Sequence, residues 1–120
     1  MVSSKYFKEI EFNKCSPACS LQDMNPNFIK MLDKARELAG IPFVITSAYR
    51  SSEWDRAKGR SGTGAHTLGV AIDIRCNTSR NRFLIVRSLM DVGFKRIGIA
   101  DTFVHVDCSI LHDDMVIWTY

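Results

Sequence analysis

The hydrophobic residues of this chain recur at spacings that first indicate a helix. Asn25 is a favourable N-cap residue, Pro26 suits the first helical position, and Gly40 suits a left-handed C-terminal stop. Between them, apolar residues three and four positions apart form one face: Phe28, Met31, Leu32, Ala35, and Leu38 or Ala39. This pattern predicts a helix that packs one face against the core.

A second helix is predicted near the middle of the chain. Thr78 or Ser79 can cap its N-terminus, it continues to about Asp91, and Gly93 ends it. Its apolar positions are Phe83, Val86, and Leu89 or Met90. The spacing again predicts a helix with one buried face.

Short runs rich in β-branched residues predict five strands, at 42–46, 69–75, 96–100, 103–108 and 115–118. The last strands are joined by short turns. Two helices with about five such strands indicate an α+β fold with a mainly antiparallel sheet. The chain is long enough for one domain, so we expect a single domain over 1–120, with residues 1–24 as an N-terminal extension that packs on the core.

A polar, glycine-rich stretch over 47–65 separates the first two strands, and residues 52–58 could form a short helix within it. Loops of this length in small domains are usually functional.

Composition narrows the class of protein. With 46% hydrophobic and 24% charged residues, the 120-residue chain can form a packed core, which excludes a disordered protein. A net charge of +3 is too weak to indicate nucleic-acid binding. No apolar run exceeds four residues, so we expect no membrane insertion. The N-terminus has no apolar signal region, and we therefore expect a chain made in the cytoplasm.

The four cysteines are Cys15, Cys19, Cys76 and Cys108. A cytoplasmic origin favours free thiols over disulfides. The alternative is half of a thiolate metal site at Cys15 and Cys19. Four-cysteine zinc sites normally combine two close pairs, and Cys76 lies 32 residues from Cys108, so the thiol interpretation is preferred.

Asp73 is a carboxylate within an otherwise apolar strand. Burying it alone would be costly, so it must be paired, hydrogen-bonded or bound to a cation. Pairing with Arg75 or Arg50 is the simpler alternative. His66 precedes Asp73 by seven residues, and Gly69 between them would let the backbone bend so that the two side chains converge.

A second polar cluster follows the second helix. Alternation along an extended strand predicts one shared face for Asp101, Phe103, His105 and Asp107. Asp101 is alternatively a turn residue. Two histidines and one aspartate form a three-ligand zinc set that leaves a fourth position for water. Zinc in such a site lowers the pKa of that water to about 7 and polarises a carbonyl group.

The motif His-x2-Gly-x-Ala-x-Asp at 66–73, followed by His105, resembles the M15 zinc peptidases. These are D-alanyl-D-alanine carboxypeptidases and peptidoglycan endopeptidases with hedgehog-type relatives. Residues 45–51, Ile-Thr-Ser-Ala-Tyr-Arg-Ser, resemble the Ser-x-Tyr-Arg-Ser element of the same family. The resemblance covers about 25–107, and its compact form is similar to members encoded by small bacteriophages.

The resemblance implies a role for each matching residue. It implies zinc ligands at three positions: His66, Asp73 and His105. Arg50 matches an arginine that binds substrate and stabilises the developing oxyanion, which suits the fixed donors of a guanidinium. The family also uses an acidic general base near the last histidine. Its usual position, three residues before that histidine, is Thr102 here, so Asp107 and Asp101 are both candidates for the base.

The resemblance therefore implies a zinc-dependent hydrolase of peptide bonds in peptidoglycan stem peptides or cross-links, working in phage lysis (as an endolysin) or in cell-wall remodelling. We expect a monomer whose partner is a peptidoglycan peptide, acting on the cell wall after release or as a phage-associated protein. The alternative is a non-catalytic, zinc-containing module of the same fold that binds cell wall or a protein. A third interpretation is a small structural protein of a virion.

Overall fold

The described part of the chain, residues 2–12, 20–48, 65–110 and 113–120, forms two α-helices and a five-stranded sheet in the computed structural model. The helices are α1 (Pro26–Ala39) and α2 (Ser79–Asp91). The strands are β1 (Ile45–Ser47), β2 (Ala71–Arg75), β3 (Arg96–Ile99), β4 (Phe103–Asp107) and β5 (Val116–Thr119). Short 3₁₀ helices occur at Glu9–Glu11, Leu21–Asp23 and Ala65–Leu68. The predicted α+β class is confirmed.

Helix α1 begins and ends where its capping residues predict. The Asn25 side chain accepts hydrogen bonds from the backbone N–H groups of Asn27 and Phe28, and Gly40 closes the helix at a φ of 71°. Its buried face consists of Phe28, Ile29, Leu32 and Ala35. At the end of the stripe, Leu38 is exposed and Ala39 packs against the core.

Helix α2 is capped by Thr78, whose hydroxyl accepts from the N–H of Asn81. Its buried face differs from the predicted one, because Phe83 is 61% exposed whereas Ile85 is buried. Four consecutive apolar residues at 83–86 give the helix more apolar positions than one face can hold. The stripe that packs inward is therefore one that contains Ile85 and Leu89, four residues apart.

The sheet has the strand order β1-β2-β4-β3-β5. All neighbouring strands are antiparallel except β3 and β5, which are parallel. The prediction of a mainly antiparallel sheet is confirmed. The first strand is shorter than predicted, since it begins at Ile45 rather than at residue 42.

One cluster of buried side chains joins both helices to one face of the sheet. The sheet contributes Ile45, Ile72, Ile74, Ile97, Val104 and Val106. The N-terminal residues contribute Val2, Phe7, Phe12, Leu21 and Met24 to the same cluster. Because strand residues alternate between faces, the neighbours of these sheet residues lie on the opposite face, where the candidate site is found.

Some predictions concern residues outside the described ranges: the helix at 52–58, Arg50, Cys15 and Cys19. Cys76 is buried and Cys108 is exposed, and both are free thiols. No helix among the described residues is both long and apolar enough to cross a bilayer.

Candidate metal centre

One row of residues across the sheet carries the centre of the site. Asp73 of β2 lies opposite His105 of β4, and His105 lies opposite Gly98 of β3. Gly98 in turn lies opposite Trp118 of β5. Cross-strand partners share one face of a sheet, so the strand pairing brings Asp73 and His105 together although 32 residues separate them.

His66 reaches this row from the 3₁₀ helix that precedes β2. The chain then turns at Gly69, whose φ is 72°. A Cβ atom at this position would overlap the backbone carbonyl oxygen of Asp23, so the turn requires glycine both for its conformation and for its space. The Gly69 carbonyl also accepts from the N–H of Asn25, which fixes the turn against the start of α1.

The three predicted ligands converge in the structure. His105 Nδ1 lies 2.9 Å from Asp73 Oδ1, and His66 Nε2 lies 3.4 Å from the same oxygen. One ligand atom from each residue lies within 4.8 Å of the others. Both histidines are buried, and Asp73 is half-buried.

The ring nitrogen of His66 that faces away from Asp73 is hydrogen-bonded to the backbone. His66 Nδ1 lies 2.8 Å from the carbonyl oxygen of Ala48, in a buried position. A carbonyl oxygen only accepts hydrogen bonds, so Nδ1 is the nitrogen that carries the proton. This contact leaves Nε2 as the nitrogen that faces Asp73.

The ring nitrogen of His105 that faces away from Asp73 is hydrogen-bonded to a carboxylate. His105 Nε2 lies 2.7 Å from Asp107 Oδ2, on the opposite side of the ring from Asp73. Burial by itself would lower the pKa of His105, but the hydrogen bonds and negative charges of Asp107 and Asp73 outweigh it and raise the pKa above 6.5.

The same contacts hold both carboxylates in their ionised form. Burial by itself would raise the pKa of Asp73, but the hydrogen bonds and charges of His105 and His66 bring it well below 3.8. The pKa of Asp107 is lowered in the same way, against its burial, by His105, by the N–H of Ser109 and by Arg96. The site thus keeps negative charge next to two imidazole rings.

This set of donors fits a zinc ion. Two imidazole nitrogens and one carboxylate oxygen are ligands that zinc takes in catalytic sites with three protein ligands. Each imidazole also gives its second nitrogen to an acceptor outside the cluster, Ala48 for His66 and Asp107 for His105. Zinc-binding histidines are oriented by partners of this kind.

Arg96 is a site residue that the sequence does not reveal. Its Nε donates to Asp107 Oδ1 at 2.7 Å, and its Nη1 donates to the backbone carbonyl of Asp113. The guanidinium also lies over the ring of Trp118, 5.0 Å from its centroid. Arg96 stands opposite Asp107 in the β3–β4 register. The register between two strands cannot be read from one sequence. The sequence therefore predicts the strand that contains Arg96 but not its contact with Asp107.

Trp118 covers one side of the His105 ring, with ring centroids 5.4 Å apart. Space for the indole depends on Gly98, because a Cβ atom there would lie 2.7 Å from two indole atoms. Because Gly98 leaves this space, Trp118 packs against His105 and favours a single orientation of the His105 ring.

The other predicted site residues are placed differently. Asp101 lies in the exposed turn between β3 and β4, where its backbone carbonyl accepts from Arg82. Its carboxylate is not among the converging ligand atoms of the described residues. Asp107 contacts His105 directly. Arg50 lies outside the described residues.

Comparison with models of known protein families gives a match to Peptidase M15 over residues 5–107. The matched region includes both helices, the first four strands and the three converging residues His66, Asp73 and His105. The comparison with curated proteins gives no match.

Proposed function

This chain belongs to the Peptidase M15 family, and on that premise we propose that it is a zinc-dependent hydrolase of peptide bonds in bacterial peptidoglycan. The observation that supports the proposal most is that His105 Nδ1 and His66 Nε2 both approach Asp73 Oδ1, at 2.9 Å and 3.4 Å, so that three ligand atoms lie within 4.8 Å of one another. The M15 peptidases depend on zinc, and this donor set suits that ion.

In this proposal, His66, Asp73 and His105 hold the zinc ion. Bound there, zinc supplies Lewis-acid polarisation of the scissile carbonyl and a water that is nucleophilic near neutral pH. Asp73 stays ionised at working pH because its pKa is lowered, so it offers a full negative charge to a cation. With zinc bound, the Ala48 carbonyl and Asp107 would accept the N–H groups of the two ring nitrogens that face away from the metal.

Two further roles are proposed from the resemblance of the motifs. Arg50 would bind the substrate and stabilise the oxyanion that develops at the scissile carbonyl. A carboxylate near His105 would accept the proton of the attacking water, and Asp107 and Asp101 are the two candidates. Their surroundings differ: Asp107 is buried and bonded to three donors, whereas Asp101 is exposed in a turn.

The proposed substrates are the stem peptides or cross-links of peptidoglycan. Removal of a terminal D-alanine would make the protein a carboxypeptidase, and cleavage within a cross-link would make it an endopeptidase. We propose that it acts on the wall in phage lysis or in wall remodelling, after release from the cytoplasm or as a phage-associated protein.

The test is the digestion of purified muropeptides, read by mass spectrometry, with wild-type protein and with His66→Ala. We expect the wild type to produce free D-alanine or a new amine. A chelator should abolish that product and added zinc should restore it. His66→Ala should bind no zinc and give no product while its circular dichroism stays native, because the core is apolar and lies on the other face of the sheet. Hydrolysis at the wild-type rate by His66→Ala would refute the proposal.

A second candidate function is a zinc-containing module that binds cell wall or a protein without catalysis. Two observations favour it: Thr102 occupies the position where the family usually has its acid, and the Asp107 carboxylate is already bonded to three donors. The same digestion separates the two functions. A zinc-loaded wild type that sediments with cell walls but gives no product supports the module.

A further inference from the structure

The Asp107 carboxylate lies on the far side of His105 from the candidate metal centre. His105 turns Nδ1 toward Asp73 and Nε2 toward Asp107, and these two nitrogens are on different sides of the ring. Asp107 thus contacts the cluster through the ring of His105.

The hydrogen-bonding capacity of Asp107 is largely used. Oδ2 receives the N–H of His105 Nε2 at 2.7 Å, and Oδ1 receives Arg96 Nε at 2.7 Å and the Ser109 N–H at 3.1 Å. The residue is only 1% exposed. A general base must reach the proton it removes, directly or through one water. A carboxylate held by three donors behind an imidazole ring meets that requirement poorly.

Arg96 fixes the orientation of this carboxylate. Its side chain is itself largely buried, and its guanidinium is held by the Asp113 carbonyl and by the face of Trp118. Trp118 also contacts the His105 ring. The result is a closed set of contacts in which Arg96 and Trp118 hold Asp107 and His105 in one arrangement.

We propose that Asp107 is a positioning residue for the metal centre: held by Arg96, it keeps the proton of His105 on Nε2 and so presents the lone pair of Nδ1 to the metal. The inference rests on the proposed function, since it takes the bound metal to be zinc. A carboxylate that fixes the tautomer of a histidine in this way is common in both metal and catalytic sites. The proton acceptor for hydrolysis is then a group other than Asp107.

The decisive variant is Asp107→Asn, which keeps the shape of the side chain. Its amide oxygen can satisfy Arg96 and the Ser109 N–H, and its NH₂ group then faces His105 Nε2. A donor in that place drives the ring proton onto Nδ1, the nitrogen that must face the metal. We expect zinc affinity, measured by competition with a chromophoric chelator, to fall about 10- to 100-fold, which is typical for the loss of such a partner.

Arg96→Met should weaken zinc binding in the same direction, because it releases Asp107. Since both residues act through His105, the double variant should lose less affinity than the product of the two single losses. Arg87 and Asp91 give a matched control: they form an exposed ion pair on α2, with 3.7 Å between Nε and Oδ2. Arg87→Met and Asp91→Asn should leave zinc affinity unchanged.

Nitrogen NMR of the zinc-loaded wild type gives a readout that simple destabilisation would not change. We expect His105 to carry its proton on Nε2 and to bind zinc through Nδ1. If Asp107→Asn fails to fold, Arg96→Met together with this spectrum of the wild type still tests the inference. Zinc bound at Nε2 would overturn the inference.

The outcomes for the two proposals are separable. If Asp107→Asn loses turnover but binds zinc as tightly as the wild type, Asp107 acts as the base and the positioning role is wrong. If zinc binding weakens as expected but the wild type hydrolyses no muropeptide, the inference stands and the proposed function fails. A wild type that binds no zinc overturns both.

Discussion

Burial and hydrogen bonding have opposite effects on the pKa of Asp73. Desolvation in the sheet would favour its neutral form, yet His105 and His66 approach the same oxygen, at 2.9 Å and 3.4 Å, and keep it ionised. The sequence shows that an aspartate in an apolar strand needs a partner. It also offers Arg75 as that partner, but Arg75 is exposed in the structure and the histidines take the role.

The pKa shifts of His105, Asp73 and Asp107 predict how the stability of the zinc-free protein depends on pH. The raised pKa of His105 gives stability that is complete below about 6.5 and is lost as the pH rises through the raised value. The lowered pKa values of Asp73 and Asp107 give stability that is present above about 3.8 and is lost as the pH falls. Urea unfolding in the presence of a chelator should therefore show the highest free energy of unfolding between these limits.

His105→Gln is the control for the upper limit. It removes the ionisable group, so the decline in stability above pH 6.5 should become much smaller in this variant. A wild-type protein whose free energy of unfolding stays level from pH 6 to 8.5 would show that His105 is not paired with the two carboxylates.

Individual site residues were predictable to different degrees. His66, Asp73 and His105 are predictable because their types and their motif indicate a metal site before any pairing is known. Arg96 is not, since its role comes from standing opposite Asp107, and one residue of slippage in the strand register would move it to the other face. Asp101 fits the alternation of β4, but the strand begins only at Phe103 and leaves Asp101 in the turn.

At the scale of elements, the turn at Gly69 decides whether His66 reaches the sheet. It joins the 3₁₀ helix Ala65–Leu68 to β2 and contacts the backbone of Asp23. The glycine of the His-x2-Gly-x-Ala-x-Asp motif thus has a physical reason, namely a left-handed φ and no room for a Cβ atom. The sequence predicts the bend, whereas the contact with Asp23 becomes visible only in the fold.

Gly69→Ala should therefore destabilise the protein and weaken its zinc binding. A left-handed alanine costs about 1–2 kcal/mol, and the overlap with the Asp23 carbonyl forces the turn to move and His66 with it. Urea unfolding and chelator competition measure the two effects.

Gly40→Ala is a matched control, because Gly40 has nearly the same φ, 71° against 72°, and nothing within 4 Å of its Cβ position. It should lose only the conformational cost and keep its zinc affinity. Equal losses of stability in the two variants would show that the contact with Asp23 has no effect.

Helix positions were predictable where local signals decide them. Asn25, Pro26 and Gly40 set the limits of α1 through bonds within a few residues. The buried face of α2 depends on what packs against it, so its apolar pattern alone places Phe83 in the core when it is exposed. Local chemistry determines where a helix lies along the chain, and tertiary packing determines which side of it is buried.

In the whole molecule, one face of the sheet forms the core and the other forms the candidate metal centre. One face packs on the helices and the N-terminal residues, and the other carries the cluster. The fold class follows from the count and type of elements. The strand order does not, because β5 pairs in parallel with β3 rather than with β4, which precedes it in sequence. That pairing brings Trp118 to His105.

The most direct test of the central claim is an anomalous difference map at the zinc absorption edge from crystals of zinc-loaded protein. We expect one strong peak at about 2.0–2.2 Å from His66 Nε2, His105 Nδ1 and a carboxylate oxygen of Asp73. A peak at another place, or no peak beside these three residues in crystals saturated with zinc, would show that they do not form the metal site.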